Sequence, residues 1–482
     1  MNIETRIGAA RPLLYEEVAA KIGAMIERGA FRAGDRVPSI RALSRQMQVS
    51  VNTVTEAYRR LEDLRLIEAR PQSGYYVLSR FAEPPEPPAM AAAERDIVAR
   101  PVRLGGLADE IRLRQADGSL APLGLGGLDP DLLPAEKLGR MLAAQVRLHA
   151  RESAASSPVA GLTRLRAQIA RRMVASGCAL APDEVIVTAG CREAITLALQ
   201  AVCKPGDTVA VGSPVYGAFL DAMQTMGLNI VEIPSSPRDG ISLEVLAYAL
   251  RQGPIHACMV IDNFNNPLGG LTPDEKKRQL VELLARHDVP LIEDDVYGDL
   301  GFAPVRPSAA KAYDRLGRVL LCSSFSKTLS PGYRIGWIAA GRYQPQVERL
   351  KAQFNMAPAS PSQMAIAEFL ANGGYDRHLH ALRRVCAARM ARVRETAARR
   401  FPSGSRVTRP AGGSVLWVEL PESIDATALS AEALRAGISV APGALFTAGD
   451  AYRNCLRLNA TYWSVQIEQA LQTLGALATA MT

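Results

Sequence analysis

At 482 residues the chain is too long for one ordinary domain, and its 48% hydrophobic content is ample for packed cores, which excludes global disorder. No run approaches the ~18 uncharged apolar residues of a membrane-crossing helix, and the first residues lack the apolar core of a signal peptide. The net charge is +8, and residues 1–80 carry +4 of it, with 13 Lys and Arg against 9 Asp and Glu; a nucleic-acid partner needs such a concentration, although a merely solvated basic face would have it too.

In chain order, residues 12–29 set Leu14, Val18, Ile22, Met25 and Ile26 at helical spacing. Ser39, after Pro38, is an N-cap for a short helix to about Met47. Ser50 caps a third helix. Its Val51, Val54, Ala57, Tyr58, Leu61 and Leu64 form an inward stripe, and its Asn52, Thr53, Thr55, Arg59 and Arg60 face outward. Residues 66–69 and 75–78 read as two strands around a hairpin tip, Pro71-Gln72-Ser73-Gly74. Three helices and a hairpin make a winged helix-turn-helix, whose third helix can enter a major groove. Asn and Thr suit base edges, and Arg41, Arg59 and Arg60 suit phosphates.

Ala30 to Ser44 and Val49 to Leu61 resemble the GntR-type DNA-binding domain. The resemblance implies double-stranded operator DNA as partner and Arg41, Ser50, Asn52, Thr53, Arg59 and the wing-tip Gly74 as contacts. Val51 stands where many relatives carry a basic residue, so the operator sequence does not transfer.

Residues 80–117 change character: Glu83-Pro84-Pro85-Glu86-Pro87-Pro88 reads as semi-rigid polyproline, followed by an Ala-rich charged stretch. We read this span as a linker between a domain at 1–79 and a body at 118–482, with part of it packing on the body. The body alternates strand and helix, with strands expected at 185–188, 208–211, 230–233, 258–261, 291–293, 319–321 and 336–340. This is the pattern of an α/β fold on a mainly parallel sheet. All seven cysteines lie past residue 170 without C-x-x-C spacing, which argues for reduced thiols in a cytoplasmic protein and against disulfides or a metal site.

In open α/β sheets ligands bind beyond the carboxyl ends of the strands. The strand ends here carry Gly190-Cys191, Tyr216, Asn266, Asp294-Asp295 with Tyr297, and Ser324-Phe325-Ser326-Lys327 followed by Arg334. Singly, each has a plain reading as a helix start, a turn or a basic loop. Together they fit one chemistry: a lysine that forms an imine with an aldehyde cofactor, a carboxylate for a pyridine nitrogen, and an aromatic ring to stack. Tyrosine and asparagine suit the phenolic oxygen, and hydroxyls with an arginine suit a phosphate. That combination specifies pyridoxal 5'-phosphate.

Asn266 to Gly269, Asp294 to Tyr297, and Ser324 to Lys327 with Arg334 to Gly336 resemble the fold type I, class I and II aminotransferases, over roughly residues 120–480. The resemblance implies a large domain at about 155–340 and a small domain at about 341–482 plus 118–154. By this resemblance Lys327 is the cofactor lysine. Asp294 is the ring-nitrogen partner, ahead of Asp295. Tyr297 and Asn266 bind the phenolic oxygen, and Tyr216 stacks on the ring. Gly190, Cys191, Ser324, Ser326 and Arg334 surround the phosphate, and Arg457 clamps a substrate carboxylate. Cys191-Arg192 departs from the Ser- and Gln-like residues common in catalytic members. A GntR head before such a body is the layout of MocR-type regulators. It implies a homodimeric transcriptional regulator sensing an amino compound or the cofactor through an aldimine at Lys327. The alternative is an active amino acid:2-oxo acid aminotransferase with an appended head, and a third is a body kept only for dimerisation.

Overall fold

The computed structural model of the chain describes residues 14–27, 31, 35–63, 66–70, 73–78, 97–102 and 120–482. Parts of several sequence readings lie outside the described residues: the Ala30 and Arg32–Gly34 portion of the head motif, Leu64, Pro71-Gln72 of the hairpin tip, and most of the linker. The chain divides into two compact units, Met1–Ala82 with Arg392–Phe401, and Glu83–Ala391 with Pro402–Thr482.

In the first unit, helices α1 (Leu14–Glu27), α2 (Ile40–Met47) and α3 (Val51–Asp63) precede a hairpin of β1 (Ile67–Arg70) and β2 (Gly74–Val77). The hairpin is antiparallel, with Ile67 opposite Val77 and Arg70 opposite Gly74. Val18, Ile22, Leu43, Val54, Ala57, Tyr58, Leu61, Ile67 and Val77 form one buried cluster on which all three helices converge, whereas Val51, expected in the inward stripe of α3, is the first residue of that helix and is exposed. Ser39 caps α2 as its position suggests, accepting the Ala42 N–H at 3.2 Å. Tyr58 is buried, and its hydroxyl donates to the Pro38 carbonyl at 2.6 Å, tying α3 to the turn before α2.

The second unit is built on a nine-stranded sheet. Its members are β3 (Arg100–Pro101), β4 (Ile186–Thr188), β5 (Thr208–Ser213), β6 (Asn229–Ser236), β7 (Gly240–Ile241), β8 (Ala257–Val260), β9 (Leu291–Asp294), β10 (Val319–Ser324) and β11 (Gly336–Ala339). The order is β3-β6-β5-β8-β9-β10-β11-β4, with β7 beside β6. From β6 to β10 the strands are parallel, while β11 runs antiparallel to both β10 and β4. The central strands are almost wholly buried, which requires both faces covered, as in α/β folds generally. One finding amends the linker reading: inside the span 80–117, Arg100–Pro101 pair antiparallel with Asn229–Ile230 as an edge strand. A second, four-stranded antiparallel sheet is formed by β12 (Arg406–Val407), β13 (Val415–Glu419), β14 (Ala441–Pro442) and β15 (Cys455–Asn459), in the order β12-β13-β15-β14. No helix among the described residues is long and apolar enough to cross a membrane.

Candidate cofactor site and nucleic-acid face

Strand ends β4, β5, β9 and β10 open on one cavity of about 1050 Å³. Cys191, Tyr216, Asp294, Tyr297, Ser324, Ser326, Lys327 and Arg334 line it, so residues distant in sequence meet as the strand order dictates. Asn266 follows β8 and joins through Tyr297, whose hydroxyl oxygen is 3.2 Å from the Asn266 amide nitrogen.

Lys327 sits at the end of a single 3-10 turn, Phe325–Lys327, capped by the Ser324 hydroxyl. Its ammonium donates to the Gly126 carbonyl at 2.7 Å, and burial lowers its pKa below the usual lysine range. A lowered pKa leaves more free amine at neutral pH, the form that attacks a carbonyl carbon. Asp294 ends β9 fully buried. Burial pushes its carboxyl up to about 6, against the N–H of Val296 at 3.1 Å and the thiol of Cys191 at 3.3 Å. The neighbouring Asp295 faces elsewhere: Asn263 donates to it at 2.8 Å and Arg306 pairs with it at 2.5 Å. Its charge is thus already neutralised, which separates the two acids that sequence left ranked but unresolved. Burial raises the Tyr297 phenol to about 12, so it stays a neutral donor.

At the cavity's other end, Gly190 precedes the helix Cys191–Val202 with φ +86°. The Arg334 guanidinium lies directly against it, donating to the Ala189 carbonyl at 2.9 Å. A Cβ on residue 190 would come within 2.3 Å of Arg334 Nη2, so only glycine allows this approach. The Ser326 hydroxyl is buried without a hydrogen-bond partner among the described residues. We expect Gly190→Ala to fold, as judged by circular dichroism, yet to weaken binding of a phosphorylated cofactor by about 10-fold or more, from backbone strain and displacement of Arg334.

Arg457, in the middle of β15, is buried. It donates to Asn266 Oδ1 at 3.2 Å and to the Gly124 carbonyl. Among the described residues its Nε has no partner and no carboxylate pairs with it, and burial lowers its pKa. Sequence reasoning missed the segment that receives both cations: Gly124 takes Arg457 and Gly126 takes Lys327. Three glycines in the four residues Gly124–Gly127 were the available signal. A Cβ at Gly124 would fall 2.7 Å from Val440 backbone, so the segment's close approach requires glycine. Glu193 was also missed; it accepts the Ala189 N–H and the Asn355 amide at 2.7 Å, shaping the helix start.

In the first unit, Arg41, Asn52 and Arg59 are exposed. The Ser50 hydroxyl accepts the Thr53 N–H at 3.0 Å and meets the Thr53 hydroxyl at 2.8 Å, so both side chains serve the helix start. Gly74, at φ +107°, lets the Arg36 guanidinium pack 3.0 Å from where a Cβ would stand.

Two family models match the chain: aminotransferase class I and II over residues 127–474, and the gntR family of bacterial regulatory proteins over residues 14–77. The chain is 40% identical to the uncharacterized HTH-type transcriptional regulator YjiR of Escherichia coli (strain K12), covering 96% of this chain and 98% of that protein. It is 30% identical to aromatic-amino-acid aminotransferase 1 of Thermococcus litoralis, covering 74% of this chain and 88% of that enzyme. Among solved structures it is similar to LysN, the alpha-aminoadipate aminotransferase of Thermus thermophilus, complexed with N-(5'-phosphopyridoxyl)-L-leucine. The TM-score is 0.72 and the identity 26%, over 78% of this chain and 97% of that one.

Proposed function

We propose a function from the premise that this chain belongs to the aminotransferase class I and II family and carries a gntR-family head, the layout of MocR-type regulators: it is a transcriptional regulator that binds DNA through the head and senses an amino compound in the body's cavity. The observation that carries this reading is the joining of a complete cofactor-type cavity to a DNA-reading head in one chain, a layout that YjiR matches over nearly its full length. We place the protein in the cytoplasm, as a homodimer.

The donor set of the cavity supports pyridoxal 5'-phosphate as cofactor. The orphaned Ser326 hydroxyl, Ser324, the backbone at Gly190-Cys191 and Arg334 suit its phosphate. Asp294 is a buried acid with no cationic partner in hydrogen-bond contact among the described residues, which suits a protonated ring nitrogen. Once bound, this group supplies a reactive aldehyde and an electron-accepting ring. Lys327 would hold the group through its free amine and could then keep or release a proton at Nζ. Asp294 would pair with the ring nitrogen and favour its protonated form. Tyr297 and Asn266 would donate to the phenolic oxygen, and Tyr216 would cover the ring. Arg457 would take the ligand's carboxylate. The ligand then alters DNA binding only insofar as it binds one state of the protein better than another.

The presence of Lys327, Asp294 and Arg457 together favours a second reading, an active aminotransferase with an appended head. Mixing the protein with amino acids and a 2-oxo acid, while following cofactor absorbance and DNA binding in parallel, separates the two. Ligand-dependent DNA affinity without turnover supports the regulator; sustained turnover with unchanged DNA affinity refutes it.

Three variants extend the test. Arg457→Ala should raise the amino ligand's dissociation constant roughly 100-fold, since removing one partner of a buried charge pair costs about 2–5 kcal/mol. Asn52→Ala should weaken operator binding roughly 10-fold and relax preference at one base, whereas Arg59→Ala should weaken all sequences alike and lower the salt slope by about 1. Gel-shift titrations at several salt concentrations distinguish these outcomes.

A further inference from the structure

The second unit contains a polar hub that the cavity itself does not use. Glu232, on β6, is held at both carboxylate oxygens. Ser213, the last residue of β5, donates to Oε1 at 3.0 Å, and Thr447 donates to Oε2 at 3.1 Å. Because the Ser213 proton goes to Glu232, the Tyr452 hydroxyl is the donor in the 3.0 Å contact with Ser213. The loop 443–452 is therefore fastened to the sheet at Glu232 and at Ser213.

The same loop touches the ligand side. The Phe446 ring lies 5.1 Å from the Arg457 guanidinium, a cation–π contact. The Phe446 carbonyl accepts the Val215 N–H at 2.7 Å, one residue before Tyr216. On its other side the loop meets the incoming chain. At Gly449 a Cβ would come within 2.8 Å of the Arg100 guanidinium, which packs there for want of a side chain. Arg100 belongs to β3, paired at Ile230, two residues from Glu232. This strand has two register pairs, sits at the sheet edge, and is anchored by buried Val102 and half-buried Ile97. Local openings start where few contacts hold the backbone, and a two-pair edge strand such as β3 is such a place. It is also the last described segment through which the chain from the head enters the body.

We propose that Glu232, Thr447, Tyr452 and Gly449 form a relay through which a carboxylate held by Arg457 moves strand β3, and with it the tether of the DNA-binding head. This rests on the regulatory reading above. A carboxylate drawn to Arg457 pulls the guanidinium from its packing on Phe446. The loop, pinned at Thr447 and Tyr452, cannot absorb that shift locally and passes it to Glu232 and to Arg100.

The test loads the full-length protein with pyridoxal 5'-phosphate alone, or with N-(5'-phosphopyridoxyl)-L-leucine, a stable compound that adds an amino acid carboxylate. Amide hydrogen exchange of residues 97–102 is then compared by mass spectrometry, with both affinities measured by fluorescence. The wild type should change exchange there about 5-fold or more between the two compounds, the low end of coupling between sites. Thr447→Val and Gly449→Ala should bind both compounds as the wild type does, with that difference reduced to less than about 2-fold. A wild type that binds the leucine compound without a change at 97–102, or variants that keep the full change, overturns the relay. Failure of the leucine compound to bind, or binding indifferent to Arg457→Ala, instead overturns the reading of the cavity and the relay with it.

Discussion

Lys327→Ala should yield a folded protein that retains DNA binding but no longer responds to a free amino acid. The lysine is the half-buried amine that lines the cavity, and its partial burial lowers its pKa toward the free base. Borohydride treatment of the wild type with pyridoxal 5'-phosphate should fix the cofactor to the peptide containing Lys327, and to no peptide in the variant. The ligand-linked change in DNA affinity, about 5–150-fold where two sites are coupled, should fall to none. Removing the side-chain nitrogen leaves the Gly126 carbonyl without its 2.7 Å donor, a modest loss of stability of about 1–3 kcal/mol. A Lys327→Ala protein that kept the full ligand response would refute covalent sensing altogether, while leaving DNA binding by the head untouched.

Tyr216, Asn266, Asp294 and Lys327 were legible because each lies at or just past the end of a parallel strand, where local rules decide both the strand and the loop that ends it; Arg457 lies inside antiparallel β15 and was named by resemblance alone. Asp294, Lys327 and Tyr216 needed only that rule. What stayed hidden depends on distant packing. Nothing near Asp295 in sequence says that Arg306 pairs with its charge and that Asn263 donates to it. The glycines at 124–127 drew no reading from sequence, and only the approach of Arg457 and Lys327 gives them a purpose. Arg100–Pro101 is too short and too polar to signal a strand; it becomes one because β6 offers an unpaired edge. In the head, the helices were legible through their apolar stripes, whereas the engagement of Ser50 and Thr53 with each other leaves exposed Asn52 the better candidate for reading a base.

Asp294→Asn should make the cofactor-free protein more stable at neutral pH while removing the benefit of the cofactor. Burial raises the Asp294 carboxyl to about 6, above the 3.8 of an ordinary aspartate, so the folded state binds its proton more tightly than the unfolded state does. Below about pH 4 both states are protonated and the residue is neutral in effect. Between about pH 4 and 6 stability falls as pH rises, and above that range the buried charge destabilises the fold by up to about 3 kcal/mol. Asparagine carries no charge, so thermal melts of the cofactor-free proteins should coincide near pH 4 and separate above pH 6, with the variant melting higher. Adding pyridoxal 5'-phosphate should reverse the order at pH 7.5, because the ionised carboxylate then faces a protonated ring nitrogen and its burial no longer costs stability. Equal stabilisation of both proteins by the cofactor would mean that another group holds the ring. A variant no more stable than wild type at pH 7.5 without cofactor would mean that Asp294 ionises as freely as a solvated acid, and that its burial does not favour a cationic partner.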